Sequence, residues 1–251
     1  MDKMDLWKKA TMLRKQLGED SQSPIDIFSL VYTIDHLTVV FYPMGDRISG
    51  MCVKGQESNV IAINSAMSVG RQRFSMAHEL FHLFYDSNMA TTICSRGIGV
   101  GGKAEEKDAD QFASYFLMSP AALTDAITRI KKKEGNKLTV NSVVKLEQYF
   151  RVSRQAILIR LIEENELTDH EAESMKKDVI RSAIYLGYDD TLYRPLSSKK
   201  QHMTYGYYIQ QADEVFENKL VSSGKYEELL LDAFRSDLVY GDSIKGAELV
   251  D

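Results

Sequence analysis

The sequence predicts an α+β fold: a small antiparallel sheet packed against a helical core, followed by a mainly helical C-terminal region. Three features carry this prediction. Three β-like runs lie at short spacing within residues 37–64. A long apolar stretch of helical periodicity follows at about Val69–Tyr85. Helix start and stop signals then recur along the rest of the chain.

Each element has a local reason. Leu6, Leu13 and Leu17, with Ala10 and Met12, predict a short amphipathic helix. Ser23-Pro24-Ile25-Asp26 combines a capping Ser, Pro at the first helical position and an acid three residues after the cap. That predicts an apolar helix over residues 25–34. Leu37–Tyr42, Ile48–Lys54 and Asn59–Asn64 are rich in Val, Ile and aromatic residues, and turn residues separate them. Such short links favour antiparallel pairing, since parallel strands need long crossovers.

Beyond the helix at 69–85, the Gly-rich polar stretch 95–103 leads into a second helix at about Ala104–Met118. Ser119-Pro120 caps and starts a third, which runs to about Lys133 and ends in a solvated basic patch (Arg129, Lys131, Lys132, Lys133). Residues 138–163 read as two short helices around a tight turn at Arg151-Val152-Ser153, a helix-turn-helix-like arrangement. Only Arg151, Arg154 and Arg160 are nearby cations, so helix packing is favoured there over DNA binding. Thr168-Asp169-His170-Glu171 is a capping box opening a helix to about Leu186, with Gly187 beyond it. Further helices are expected near Tyr205–Leu220 and Gly224–Tyr240, with a frayed tail after Gly241. The organisation is therefore 1–133, 134–165 as a helical continuation, and 166–251 as a helical region of open role.

Composition sets limits on function. The chain has 251 residues, 44% hydrophobic and 27% charged, with a net charge of -5. It has enough apolar content for a real core. The mild acidity argues against broad nucleic-acid affinity, and direct nucleic-acid binding is not expected. Cys52 and Cys94 are too few and too far apart for a disulfide framework and read as two buried, idle thiols in a reducing compartment. The charged N-terminus lacks a signal-peptide core, and no apolar run is long enough to span a membrane. A cytoplasmic protein without membrane contact is expected.

Two of the five His fall in one pentapeptide, His78-Glu79-Leu80-Phe81-His82. On a helix, a spacing of four turns through about 400°, so His78 and His82 project from one face, a turn apart. Two neutral imidazoles so placed can bind one Zn²⁺ at about 2.0–2.1 Å. Glu79, rotated by one residue, can approach an attacking water without ligating the metal, as a general base requires. Phe74, Met76, Ala77, Leu80, Phe81, Leu83 and Phe84 cover the other directions, so the helix is buried. Buried imidazoles and a carboxylate are costly without partners, and a metal supplies one.

A third ligand is needed. Ala109, Phe112, Ala113, Phe116 and Leu117 form the apolar stripe of the next helix, with Glu106 and Asp110 four apart at its edge. Glu106 is assigned as the ligand, and Asp110 as a hydrogen-bond acceptor behind a ligand imidazole. Glu105 and Asp108 read as solvated. Tyr85, seven residues after His78, lies on roughly the same face but reads as a core residue and receives no role.

The segment Arg73-Phe74-Ser75-Met76-Ala77-His78-Glu79-Leu80-Phe81-His82-Leu83-Phe84 and the later run from Glu106 to Pro120 together resemble the ImmA/IrrE family of zinc metallopeptidases. That family pairs an H-E-x-x-H helix with E-x-E-A-[ND]-x-F-A-x-x-L-L-M-P. Asp108 stands where the family often has Glu, and Ser119 is inserted before Pro120. The resemblance covers about residues 25–163. It implies a zincin-like metallopeptidase domain, His78, His82 and Glu106 as zinc ligands, and Glu79 as the base. It also implies a protein substrate: similar proteins often cleave a helix-turn-helix repressor encoded beside them, releasing genes of a mobile element or a stress response. The other reading is a non-proteolytic metal-binding regulator or toxin-antitoxin component that acts by binding protein.

Overall fold

The computed structural model describes residues 1–86, 91–95 and 104–241. The Gly-rich stretch after Ser95 and the expected frayed tail after Gly241 lie outside the described residues. The elements are α1 (Lys3–Gln16), α2 (Ile27–Val31), β1 (Leu37–Tyr42), β2 (Ile48–Lys54), β3 (Asn59–Asn64), α3 (Val69–Tyr85), β4 (Thr91–Ser95), α4 (Ala104–Leu117), α5 (Pro120–Glu134), α6 (Val140–Phe150), α7 (Arg154–Glu163), α8 (Asp169–Ser174), α9 (Val179–Tyr185), β5 (Met203–Gly206), α10 (Tyr207–Glu217), α11 (Ser223–Asp232) and α12 (Ser236–Tyr240). The fold is α+β, as the sequence predicts. None of the helices described is long and apolar enough to cross a membrane.

The sheet differs from the antiparallel one expected. It has five strands in the order β4-β2-β3-β1-β5 and is mixed. β2 pairs antiparallel with β3, but β3 lies parallel to β1, with Val39 opposite Ile61. The long crossover that parallel strands need is supplied by β2 itself. The chain leaves β1, passes over one strand position, runs back as β2 and returns as β3 in the gap. Asn64 fixes that path. Its side chain accepts from Met44 N at 3.0 Å and donates to Ile48 O at 2.7 Å, so the end of β3 is tied to the β1–β2 link. The remote β5 adds antiparallel to β1, with Val39 opposite Tyr205. It occupies the start of a stretch expected to be helical, and α10 begins only after Gly206, whose φ is +84°.

Two helices are shorter than expected. α2 starts at Ile27, with Asp26 rather than Ser23 at its N-cap. The backbone of 23–25 serves other groups: Arg14 donates to Ser23 O, and Arg73 donates to Ile25 O. The helix opened by the Thr168–Glu171 capping box breaks after Ser174 and resumes as α9, with Asp178 left-handed at φ 51°.

Helix α3 packs on β2 and β3, and α4 packs on both α3 and α1. Phe81, Phe112 and Phe116 stack between α3 and α4, with ring centroids 5.6 and 5.7 Å apart. Each such pair adds about 0.5–1.5 kcal/mol beyond area burial. Buried polar anchors fix the start of α3. Gln72 donates to Ser65 O and Met67 O, and Arg73 donates to Arg151 O at 3.0 Å. Gly70 lets the α6–α7 turn come close, since a Cβ there would meet Ser153 N at 2.9 Å.

The α6–α7 hairpin is built for packing. Arg154 and Arg160, two of its three nearby cations, are buried and cannot reach a phosphate backbone. Arg154 is paired with Glu147, donates to Met175 O at 2.7 Å and also reaches Ser182 Oγ at 2.9 Å. Tyr193 completes the set by donating to Glu147 Oε2 at 2.7 Å.

Candidate metal centre

Seventeen residues of unbroken helix carry His78, Glu79 and His82 into the core. The spacing of four brings the two Nε2 atoms to 3.2 Å from each other. Helix α4 crosses beside them and presents Glu106, whose oxygens lie 3.4 Å from His78 Nε2 and 3.5 Å from His82 Nε2. Asp110, one turn further along α4, meets His78 Nδ1 at 2.8 Å. His82 Nδ1 has a similar partner in Asp86, at 3.2 Å, just past the end of α3. Sequence reasoning missed Asp86, although its spacing of four from His82 was a readable signal.

An ionised carboxylate can only accept, so each Nδ1 carries the ring proton and donates it. When both rings are neutral, their Nε2 lone pairs turn toward one another and toward Glu106. Lone pairs and a carboxylate facing each other at such distances repel unless a cation lies between them. Burial pulls both imidazoles toward the neutral form. At His78 the Asp110 and Glu106 carboxylates outweigh burial and push the ring up to about 9. At His82 burial wins, reinforced by His78, and the ring titrates below its usual value. The hydrogen bond from His78, its largest influence, holds the Glu106 carboxyl below the ordinary range.

Glu79 is fully buried. Burial pushes its carboxyl up to about 7 against the pull of His78. Its Oε1 has no hydrogen-bond partner among the described residues, and its Oε2 accepts from Cys94 Sγ at 3.4 Å. It packs directly on β2: a Cβ at Gly50 would meet Glu79 Oε1 at 2.7 Å. Cys94, opposite Gly50 on edge strand β4, is therefore not an idle thiol. Its ligand atom and those of His78, His82 and Glu106 all lie within 4.8 Å of one another. Burial, together with the Glu79 and Glu106 carboxylates, raises its thiol far above the usual range. No pattern in the sequence points to Cys94. Cys52 is buried on β2, and burial pushes its thiol up to about 12.

Other candidates fall elsewhere. Tyr85 donates to Lys9 O at 3.0 Å and, partly buried, packs edge-on against Phe112. Glu105 is exposed. Asp108 is half-buried rather than solvated and pairs with the Met1 amine at 2.7 Å. His36 and His202 pack edge-on against Tyr207 and Tyr42, away from the cluster.

The residues present fit a divalent metal. Two Nε2 atoms and a carboxylate converge, both imidazoles are oriented from behind, and a buried Glu oxygen beside them has no partner among the described residues. A helix-borne H-E-x-x-H beside a mixed sheet, with an acid from the next helix, forms an arrangement that could hold a metal ion. Residues 37–162, half of the chain, match the Peptidase M78 family, described as an IrrE N-terminal-like domain, and the chain belongs to that family. It is also similar to the radiation response metalloprotease IrrE of Deinococcus deserti, with 42% identity over 57 residues. That match spans 23% of this chain and 19% of the Deinococcus protein.

Proposed function

We propose that this chain is a zinc-dependent metalloendopeptidase that cleaves a cognate helix-turn-helix repressor or another regulatory protein. The observation that carries the reading is the pair of Nε2 atoms 3.2 Å apart, both backed by carboxylates, with a buried Glu79 beside them whose Oε1 has no partner among the described residues. Family membership supports a peptidase, and the resemblance noted in the sequence suggests the repressor class of substrate.

In this reading His78, His82 and Glu106 hold the ion. Asp110 and Asp86 fix the tautomer and tilt of the two rings. Zinc, when bound, supplies a Lewis acid that polarises the scissile carbonyl and acidifies water. Glu79 takes a proton from the attacking water and delivers it to the leaving amine. Its burial suits this work, because burial raises the carboxyl toward the range in which a base can both accept and return a proton. Release of genes of a mobile element or a stress response is the proposed consequence.

The test is incubation of zinc-loaded protein with purified helix-turn-helix repressors encoded beside its gene. Discrete cleavage by wild type, and none by Glu79→Gln carrying the same amount of zinc, is expected. Equal cleavage by that variant would remove Glu79 from the reaction. One observation favours the second reading, a non-proteolytic regulator or toxin-antitoxin component. Cys94 offers a fourth protein donor, and closed four-donor sites are structural. Intact repressors held in a tight complex with the zinc-loaded protein would support that alternative.

A further inference from the structure

The metal reading explains three donors and one base but leaves Cys94 unexplained. This thiol reaches the cluster from a different layer of the fold. His78 and His82 come from α3 and Glu106 from α4, whereas Cys94 comes from β4, the edge strand of the sheet. The approach depends on the strand pairing. Gly50, opposite Cys94, has no side chain to fill the space between β2 and Glu79. The register between β2 and β4 shifts between Ile48 and Gly50, and Ser49 Oγ donates to Cys94 O at 3.4 Å. Such irregularities re-aim a side chain. Here the result is a buried sulfur within 4.8 Å of both imidazoles and of Glu106.

Three donors leave one position of a tetrahedral zinc site open. We propose that Cys94 fills it: its thiolate, delivered by the edge strand, is the fourth ligand of a closed resting form that keeps water out of the site. The inference rests on the metal-centre reading above. A second observation supports it independently. The acceptor for the thiol proton is already in place, because Cys94 Sγ donates to Glu79 Oε2 at 3.4 Å, and the other oxygen of the buried Glu79 has no hydrogen-bond partner among the described residues. On ligation the S–H bond breaks, a sulfur–metal bond forms, and the proton passes to the Glu79 carboxylate. No oxidant or reductant is involved. In this form both the open position and the base are occupied by one residue. Return of the proton to sulfur frees both together. The closed form is thus inhibited by a residue of the chain itself.

The test uses the full chain in two metal forms. X-ray absorption of the zinc-loaded wild type should show one sulfur neighbour at about 2.3 Å among nitrogen and oxygen neighbours at about 2.0–2.2 Å. The cobalt-loaded wild type should show a near-ultraviolet thiolate-to-cobalt charge-transfer band. Cys94→Ser should lose that band while still binding cobalt, and Cys52→Ser should keep it. Wild type that binds one ion with only nitrogen and oxygen neighbours, and without the band, overturns Cys94 ligation but leaves the His78, His82 and Glu106 site standing. Wild type that binds neither ion overturns both. The absorption measurement on wild type decides the question even if Cys94→Ser fails to fold.

Discussion

Glu147 and Arg154, around the α6–α7 turn, form one ionisable cluster withdrawn from water; Glu79 and its two flanking histidines on α3 form another. The first is closed on itself. Arg154 donates to Glu147, Met175 O and Ser182 Oγ, and Glu147 also accepts from Tyr193. The second is open. Two Nε2 atoms face each other, and Glu79 Oε1 is buried without a partner among the described residues. A folded chain tolerates a buried charge when its partners are internal. It retains an incomplete set when the missing partner comes from outside. The first cluster thus reads as structural and the second as a binding site, although both are built from ordinary buried acids and bases.

The largest expected contrast comes from removing one charged group from each. Glu79→Gln should lower peptide hydrolysis by about 10²–10⁴-fold, the usual worth of a positioned base, and leave the urea unfolding midpoint close to wild type. Arg154→Ala should do the reverse, costing about 3–5 kcal/mol of stability because Glu147 is left charged and buried. A Glu79→Gln variant that loses stability as Arg154→Ala does would erase the distinction between the clusters.

A smaller effect sharpens the reading of the open cluster. Asp110→Asn and Asp86→Asn, which weaken the groups behind the two imidazoles, should each reduce zinc affinity by about 10–100-fold in a competition titration. Unfolding of the zinc-free protein should change little. Unaltered affinity in both variants would mean that the carboxylates do not orient the rings.

The smallest effect concerns a satisfied carboxylate at the surface. Asp20 accepts from Gln22 N, Ser23 N and Ser23 Oγ, and these bonds, led by the Ser23 hydroxyl, hold it at about 2. A carboxyl depressed in the folded state stabilises above its unfolded pKa of about 3.9, and that contribution is lost as pH falls toward the folded value. Stability of wild type should therefore fall between about pH 4 and pH 2 by more than that of Asp20→Asn. Parallel pH profiles over that window would show that the bonds persist in the unfolded chain.

Much of this was legible in the residues, and the gaps have physical causes. Strand positions 37–42, 48–54 and 59–64 and the helix over Val69–Tyr85 followed from local periodicity. The parallel pairing of β1 and β3 did not, because it depends on Asn64 reaching across to the Met44–Ile48 backbone. β5 pairs with a strand that lies over 160 residues earlier in the chain, Phe41 with Met203, beyond any local pattern. At the site, a spacing of four marks His78 and His82, and the same spacing marks Glu106 and Asp110 and would have marked Asp86 after His82. Cys94 reaches the cluster only through the register of an edge strand, which leaves no trace in a spacing.

Metal content of the purified protein, wild type against His82→Ala, tests most directly whether the open cluster is a metal centre. After equilibration with zinc and removal of excess, wild type should hold about one ion per chain and His82→Ala almost none, with both variants folded by circular dichroism. Equal zinc in the two proteins, or none in wild type, would contradict it.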